Sequence, residues 1–277
     1  QSAATRGMAQ AESRPADADR KTADAERRRR TIAAINYSVF QSLMQHMITA
    51  QSEPLFVRQL CSDNVPRAVA LMAQVKAAVG LAGLFLNQGG GRLSDAVGRK
   101  PLLLVGPFGN MLVGLLVYAN PSNLPMFLVT TTLKHMVTTF SNSVITSAML
   151  ADTCQGKELA LAQTAVGATV GLGVIMMPFV ESFLLKAFPG RFHNQWLALS
   201  VIAASQAVWS ACMMPETLEP SRRIPLSEAL SLSAWNPFGF VRLFTEGSPA
   251  LKRMVTTTTF QMFLEGKNQH DVNEVWK

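Results

Sequence analysis

Of the 277 residues, 48% are hydrophobic and only 16% charged, against roughly a quarter charged in ordinary soluble domains. Long apolar stretches alternate with short basic connectors, which excludes an ordinary soluble domain and reads the net charge of +7 as membrane topology rather than nucleic-acid binding. The three cysteines, Cys61, Cys154 and Cys212, fall in different segments and imply no disulfide framework.

Residues 1–30 hold eight Lys or Arg and five Asp or Glu with almost no bulky apolar side chains, so this part cannot bury a core and is expected to be a disordered cytoplasmic tail. Its acidic residues argue against an organellar transit peptide, and no apolar signal-peptide region precedes Arg27-Arg28-Arg29-Arg30. Six spans follow at about 31–50, 68–89, 101–119, 125–150, 159–184 and 195–214, with lengths near the roughly 20 helical residues a hydrocarbon core requires. They predict an all-α membrane protein with a six-helix bundle over 31–214. The first span is interrupted by Asn36, Gln41, Gln45 and His46. Gln41 and Gln45, four apart, share a helix face suited to lining a polar cavity. Glycines such as Gly80, Gly106, Gly114 and Gly171 lie inside the apolar spans, where small residues let helices approach closely in lipid.

The basic residues orient this bundle. With the N-terminus in the cytoplasm, that side receives 17 Lys or Arg and the opposite side four, Arg58, Arg67, Lys186 and Arg191. The positive-inside rule then places both ends of the six-span unit in the cytoplasm, in a plasma or internal membrane.

Between spans two and three stands Gly91-Arg92-Leu93-Ser94-Asp95-Ala96-Val97-Gly98-Arg99-Lys100, reading G-x-L-x-D-x-x-G-R-K. Gly91 and Gly98 permit tight turns, and Asp95 with Arg99 and Lys100 supplies opposite charges at a membrane surface, where pairing is strengthened. A phosphate-binding loop is excluded, because Gly98 is followed by Arg99-Lys100-Pro101 rather than Lys and Ser or Thr. A solvated basic turn that merely obeys topology is the plain alternative. The decapeptide resembles the loop between helices 2 and 3 of major facilitator superfamily transporters. That resemblance implies a gating latch with Asp95 as acceptor and Arg99 as donor. Ala96 stands where the family commonly has a basic residue.

Deep in span four, Lys134 and His135 are ionisable groups inside the membrane, functional candidates because burying charge there is costly. Lys134 serves either substrate or coupling, or else snorkels or pairs inside the bundle. Histidine titrates near physiological pH, which makes His135, and His46 in span one, proton-relay candidates, with hydrogen-bonded interior histidines as the alternative. Neighbouring helical residues point about 100° apart, so Lys134 and His135 are not expected to face one cavity together. Many drug–proton antiporters of the superfamily carry a basic residue at this depth, usually within R-x-x-x-G, where this chain has Lys134 and Thr138. Glu181 and Lys76 are expected to reach the outer interface by snorkelling.

Ala151-Asp152 after span four, Gly171, Gly173 and Pro178 in span five, and Asn236-Pro237-Phe238 look like the tetracycline-resistance branch and the related hippocampus abundant transcript proteins. The resemblance makes Asp152 an inner-end candidate and Gly171 and Pro178 helix-five candidates. Pro178 is expected to kink its helix. Pro215-Glu216-Thr217 resembles the P-E-T or P-E-S after helix six in several branches.

Residues 215–253 are expected to form a cytoplasmic loop between two bundles, with Leu226 to Leu232 as a short interfacial helix. Residues 254–277 begin a seventh helix of a second bundle. Met254 to Leu264 is too short to span, so the chain is expected to be a fragment whose partner is the C-terminal half of its own parent.

The resemblance implies a secondary transporter of a small organic solute, read here as proton-coupled efflux, so the expected partners are the solute, protons and the lipid bilayer. A facilitative sugar or nutrient transporter and a non-transporting membrane sensor or scaffold remain as alternatives. No nucleophile–base pair, metal-ligand set or cofactor loop stands at interpretable spacing, so no enzyme, catalytic residue, metal or cofactor is expected.

Overall fold

The computed structural model describes residues 2–141, 143–231 and 235–266, and among them every regular element is helical. The chain divides into two compact units, Gln1–Ala234 and Trp235–Lys277.

In the first unit α1 runs Ser2–Met47, and the nine-residue α2, Ser52–Leu60, follows a tight turn. The long α3, Val65–Val97, is capped at its start by Asn64, whose side chain accepts from the Arg67 amide, with Pro66 in the first turn. Then come α4 (Arg99–Ala119), α5 (Leu124–Ser141), α6 (Ser143–Thr153), α7 (Gly156–Ala187), α8 (Asn194–Met213) and the single-turn α9 (Leu226–Ala229).

Helices run through all six predicted ranges. Four of them, α3, α4, α7 and α8, are long and apolar enough to cross a membrane by length and composition alone. The polar residues of α1 and the division of the fourth range into α5 and α6 keep those two below that measure, and residue 142 between the halves lies outside the described residues. The expectation of a disordered tail over 1–30 differs from the structure, in which α1 already begins at Ser2. Residues 22–30 are all exposed, so local terms hold this end as helix: good helix formers such as Ala, Lys and Arg, and the Glu26–Arg30 pair one turn apart.

Two apolar cores occupy opposite ends of the bundle. One gathers Ile35 and Val39 of α1, Leu103 of α4, Ile145 and Met149 of α6, Ala162 of α7 and Met214. The other gathers Ile48 from the turn after α1, Phe56 and Val57 of α2, Val113 and Val117 of α4, Phe127 of α5, Met177 of α7, and Trp196 and Leu199 of α8. Ring contacts run through the second core, Phe56 to Phe127 at 4.8 Å and Phe127 to Trp196 at 5.2 Å between centroids. Between the cores lies a buried polar layer of Ser38, Gln41, Gln45, Asn110 and Gln206.

The apolar side chains that remain exposed follow helical spacing. Leu172, Ile175, Phe179 and Phe183 form one stripe along α7. Such faces suit lipid or another helix bundle and would be unfavourable in water.

The second unit holds a 3-10 turn, Pro237–Phe240, in which the Asn236 side chain accepts the Phe238 amide at 3.0 Å, then α10 (Val241–Thr245) and α11 (Pro249–Gly266). Helix α11 starts five residues before the predicted apolar stretch, because Ser248 caps the Leu251 amide at 3.3 Å and Pro249 fits the first turn. The predicted 254–277 segment is described only as far as residue 266.

Candidate functional site

Residues 91–97, read from sequence as a loop, form the last turns of α3, and only Gly98 breaks the helix, at φ +115°. A side chain at Gly98 would place its Cβ 2.5 Å from Glu216 Oε2. The reason for that proximity is capping. Helix α4 has no side-chain cap of its own, and Glu216, just past α8, accepts the amides of Arg99 at 3.1 Å and Lys100 at 3.2 Å. A carboxylate there satisfies orphan donors and complements the helix dipole.

Arg99 is turned inward and nearly buried. It pairs with Asp95 at 2.7 Å and with Asp152, at the end of α6, at 3.2 Å, and it donates to Ser94 Oγ. Asp152 is 6% exposed, against 36% for Asp95, so the better shielded partner is the one that α6 supplies. Arg222 approaches Asp152 at 3.7 Å, and Thr217 Oγ1 lies 3.5 Å from it. Lys100 instead donates to the Ala211 carbonyl at 2.7 Å. The segment after α8 therefore straps the motif: Ile224 donates to the Asp95 carbonyl at 3.2 Å, and Glu228 of α9 stands 3.9 Å from Arg92. Gly91 faces Val144 of α6 in ordinary contact range. Sequence reading paired Asp95 with Arg99 as a latch and named Asp152 apart from them. It missed Ser94 and the cap by Glu216, although the P-E-T triplet stood out.

At the other end Lys134 is 1% exposed. Its ammonium donates to Thr49 Oγ1 at 2.6 Å and to Glu53 Oε2 at 3.3 Å, and lies 5.0 Å from the centre of the Trp196 ring. His135 Nε2 lies 3.5 Å from the other Glu53 oxygen, Oε1. The two adjacent residues thus share one carboxylate, despite pointing about 100° apart, because its two oxygens each serve one. Glu53 belongs to α2, outside the spanning helices. Burial alone would raise its pKa, but the Lys134 ammonium and the His135 ring outweigh burial and hold it lowered to about 2. The His46 ring is 6.0 Å from that of His135, and His46 is itself exposed. Glu53, Thr49 and Trp196 were not singled out from sequence. The available signal was the need of a deep lysine for an acid within reach, and Glu53 opens the short helix after span one.

Gln41 and Gln45 are buried rather than open to a wide cavity. Gln41 donates to Ser205 Oγ at 3.2 Å; Gln45 donates to Gln206 and accepts from Asn110 at 2.9 Å. Gln45 also lines a cavity of about 10 Å³ with Ser38, Asn110, Thr138 and Gln206, room for about one water.

Gly171 presents open space on α7, and Pro178 lies one turn before Glu181. The expectation that Glu181 snorkels outward is corrected: it is fully buried and accepts the amides of Gln51 and Ser52. A carboxylate can stay buried when backbone donors replace its water. Lys76 is exposed on α3.

The profile of the family described as Major Facilitator Superfamily matches residues 31–264. Among solved structures, the chain is similar to the human organic anion transporter MFSD10 (TETRAN), at 19% identity and a TM-score of 0.59, over 75% of this chain and 54% of that one. The chain thus spans about half the length of that transporter, and at this identity the likeness concerns the fold. No curated protein matches the chain. With the family profile covering most of its length, the chain belongs to the Major Facilitator Superfamily, a family of transporters, and is an integral membrane protein.

Proposed function

We propose that this chain forms the six-helix N-terminal half of a secondary active transporter that expels a small organic solute in exchange for protons, in the manner of the tetracycline-resistance branch. The observation that carries the reading is Lys134, 1% exposed yet ion-paired to Glu53 with His135 on the same carboxylate. Titratable groups sharing one counter-ion can exchange a proton for a bound charge, because any ligand that takes Glu53 or Lys134 leaves the other in need of a partner. The ring of His46, exposed on the bundle surface and 6.0 Å from that of His135, adds a second histidine to this group.

At the opposite end the Asp95–Arg99–Asp152 cluster holds α3, α4 and α6 together in one access state. Solute or proton binding shifts the balance toward the other state, as the two halves rock about the site. The 17-to-four bias of basic residues supports a cytoplasmic N-terminus, with the Arg99 cluster facing the cytoplasm. An anionic solute is favoured by the basic pair Lys134 and His135, and the similarity to a solved organic anion transporter supports the same class.

The test is efflux of carboxyfluorescein, an organic anion, and of ethidium, a cation, from vesicles containing the full transporter under an imposed pH gradient. Gradient-driven efflux that Lys134→Met abolishes is the expected result. Flux insensitive to a protonophore would instead indicate facilitated diffusion, and dye binding without flux a sensor or scaffold.

A further inference from the structure

Helix α2 begins without a cap of its own, since the Gln51 side chain makes no capping hydrogen bond at this N-terminus. The cap comes from α7. Glu181 accepts the Gln51 amide at 3.0 and 2.9 Å through its two oxygens, and the Ser52 amide at 2.7 Å. The Gln51 side chain adds two more links to the same turn of α7, donating to the Pro178 carbonyl at 3.4 Å and accepting from Ser182 Oγ at 3.3 Å. Residue 51 is thereby gripped from four atoms of one distant turn, and the next residue but one is Glu53, the partner of Lys134.

A fully buried carboxylate in a membrane helix is costly and asks for a reason. Packing does not supply one, because an apolar residue would fill the same volume without desolvation cost. We propose that Glu181 is a positioning residue: by capping α2 from α7 it sets Glu53 against Lys134, so that α2 is a strap fastened at two points over the basic site. Pro178, one turn away, interrupts the hydrogen-bond ladder of α7. A change of bend at Pro178 would carry Glu181 with it, which gives movement of α7 a path to Lys134. The consequence for transport rests on the proposed role of Lys134, whereas the fastening of α2 does not.

Cys61 reports on the strap, because it is the C-cap residue of α2 and 4% exposed, while Cys154 is 1% exposed in the opposite core. The experiment is N-ethylmaleimide labelling of the full chain in lipid nanodiscs, with each site located by peptide mass spectrometry. Glu181→Gln leaves an amide group facing backbone donors, and is expected to raise the Cys61 labelling rate about tenfold with Cys154 unchanged, as for loss of a charge-assisted cap. Glu181→Asp, which keeps the charge on a shorter arm, should fall between. Unchanged Cys61 labelling overturns the proposal, and so does an equal rise at Cys61 and Cys154, which would make Glu181 a support of the whole bundle. Flux supplies the second readout: the effect of Glu181→Gln on the pH profile of carboxyfluorescein efflux should vanish in a Glu53→Gln background. Additive effects would overturn the positioning role and leave the Lys134 site standing. Absence of flux in the unmodified protein would sink the proposed function alone, with the labelling still deciding the role of Glu181.

Discussion

Arg99 and Lys134 solve the same problem at opposite ends of the bundle. Each is a nearly buried cation whose better shielded counter-ion comes from another element, Asp152 of α6 for Arg99 and Glu53 of α2 for Lys134; removing Glu53 would strand a buried charge, whereas Arg99 without Asp152 would keep Asp95. The Glu53 pairing has a readable pH consequence. A carboxyl lowered from 4.5 to about 2 in the folded state contributes stability that is fully present above pH 4.5 and is lost as pH falls toward 2. Melting temperature in nanodiscs should decline less steeply over that window in Glu53→Gln than in the unmodified chain. Gly98 is the other residue with a sharp expectation. At φ +115° and with Glu216 2.5 Å from the position of a Cβ, Gly98→Ala should cost about 1–3 kcal/mol, read as a lowered denaturation midpoint.

Two helices of this bundle receive their N-terminal caps from elsewhere in the chain: α2 from Glu181 and α4 from Glu216. Caps supplied in this way join elements as well as end them, since the helix start and the segment that carries the capping carboxylate must move together. Glu216→Ala should therefore cost about 1 kcal/mol as a lost cap and also loosen the segment after α8, seen as faster proteolysis near Arg222. The crossing of α4 and α8 depends on Gly114. A Cβ there would stand 2.5 Å from the Trp196 carbonyl oxygen and 3.3 Å from the Ser200 amide. Backbone cannot yield as a side chain does, so Gly114→Ala should part the two helices and lower stability by about 1–3 kcal/mol, measured by thermal denaturation in nanodiscs.

For the whole unit, two apolar cores enclose a polar layer, while the outer faces stay apolar. Val201, 63% exposed in the middle of α8, faces outward from a span without charged residues. Val201→Arg should lower membrane insertion, at a cost of about 2.5–3.5 kcal/mol on insertion scales, measured as the inserted fraction. The latch makes a functional prediction. Asp95→Asn should slow transport without reducing insertion, because Arg99 keeps Asp152 while losing its partner within the motif. Unchanged flux at equal expression would refute the latch.

The sequence by itself determined the helical class, the apolar ranges and the motif at 91–100, because these are local: hydropathy over some twenty residues decides burial in lipid, and Gly98 records a backbone angle. It also picked out Arg99, Asp95, Lys134 and His135, whose chemistry is unusual wherever it stands. What only the tertiary structure decided was partnership. Glu53 lies 81 residues from Lys134 and Glu181 lies 129 from Ser52. No periodicity marks which carboxylate will reach which amide or ammonium, because that depends on how helices cross and which ends meet. Glu181 therefore read as an outward-reaching side chain, whereas packing turned it inward and supplied the backbone donors that replace water.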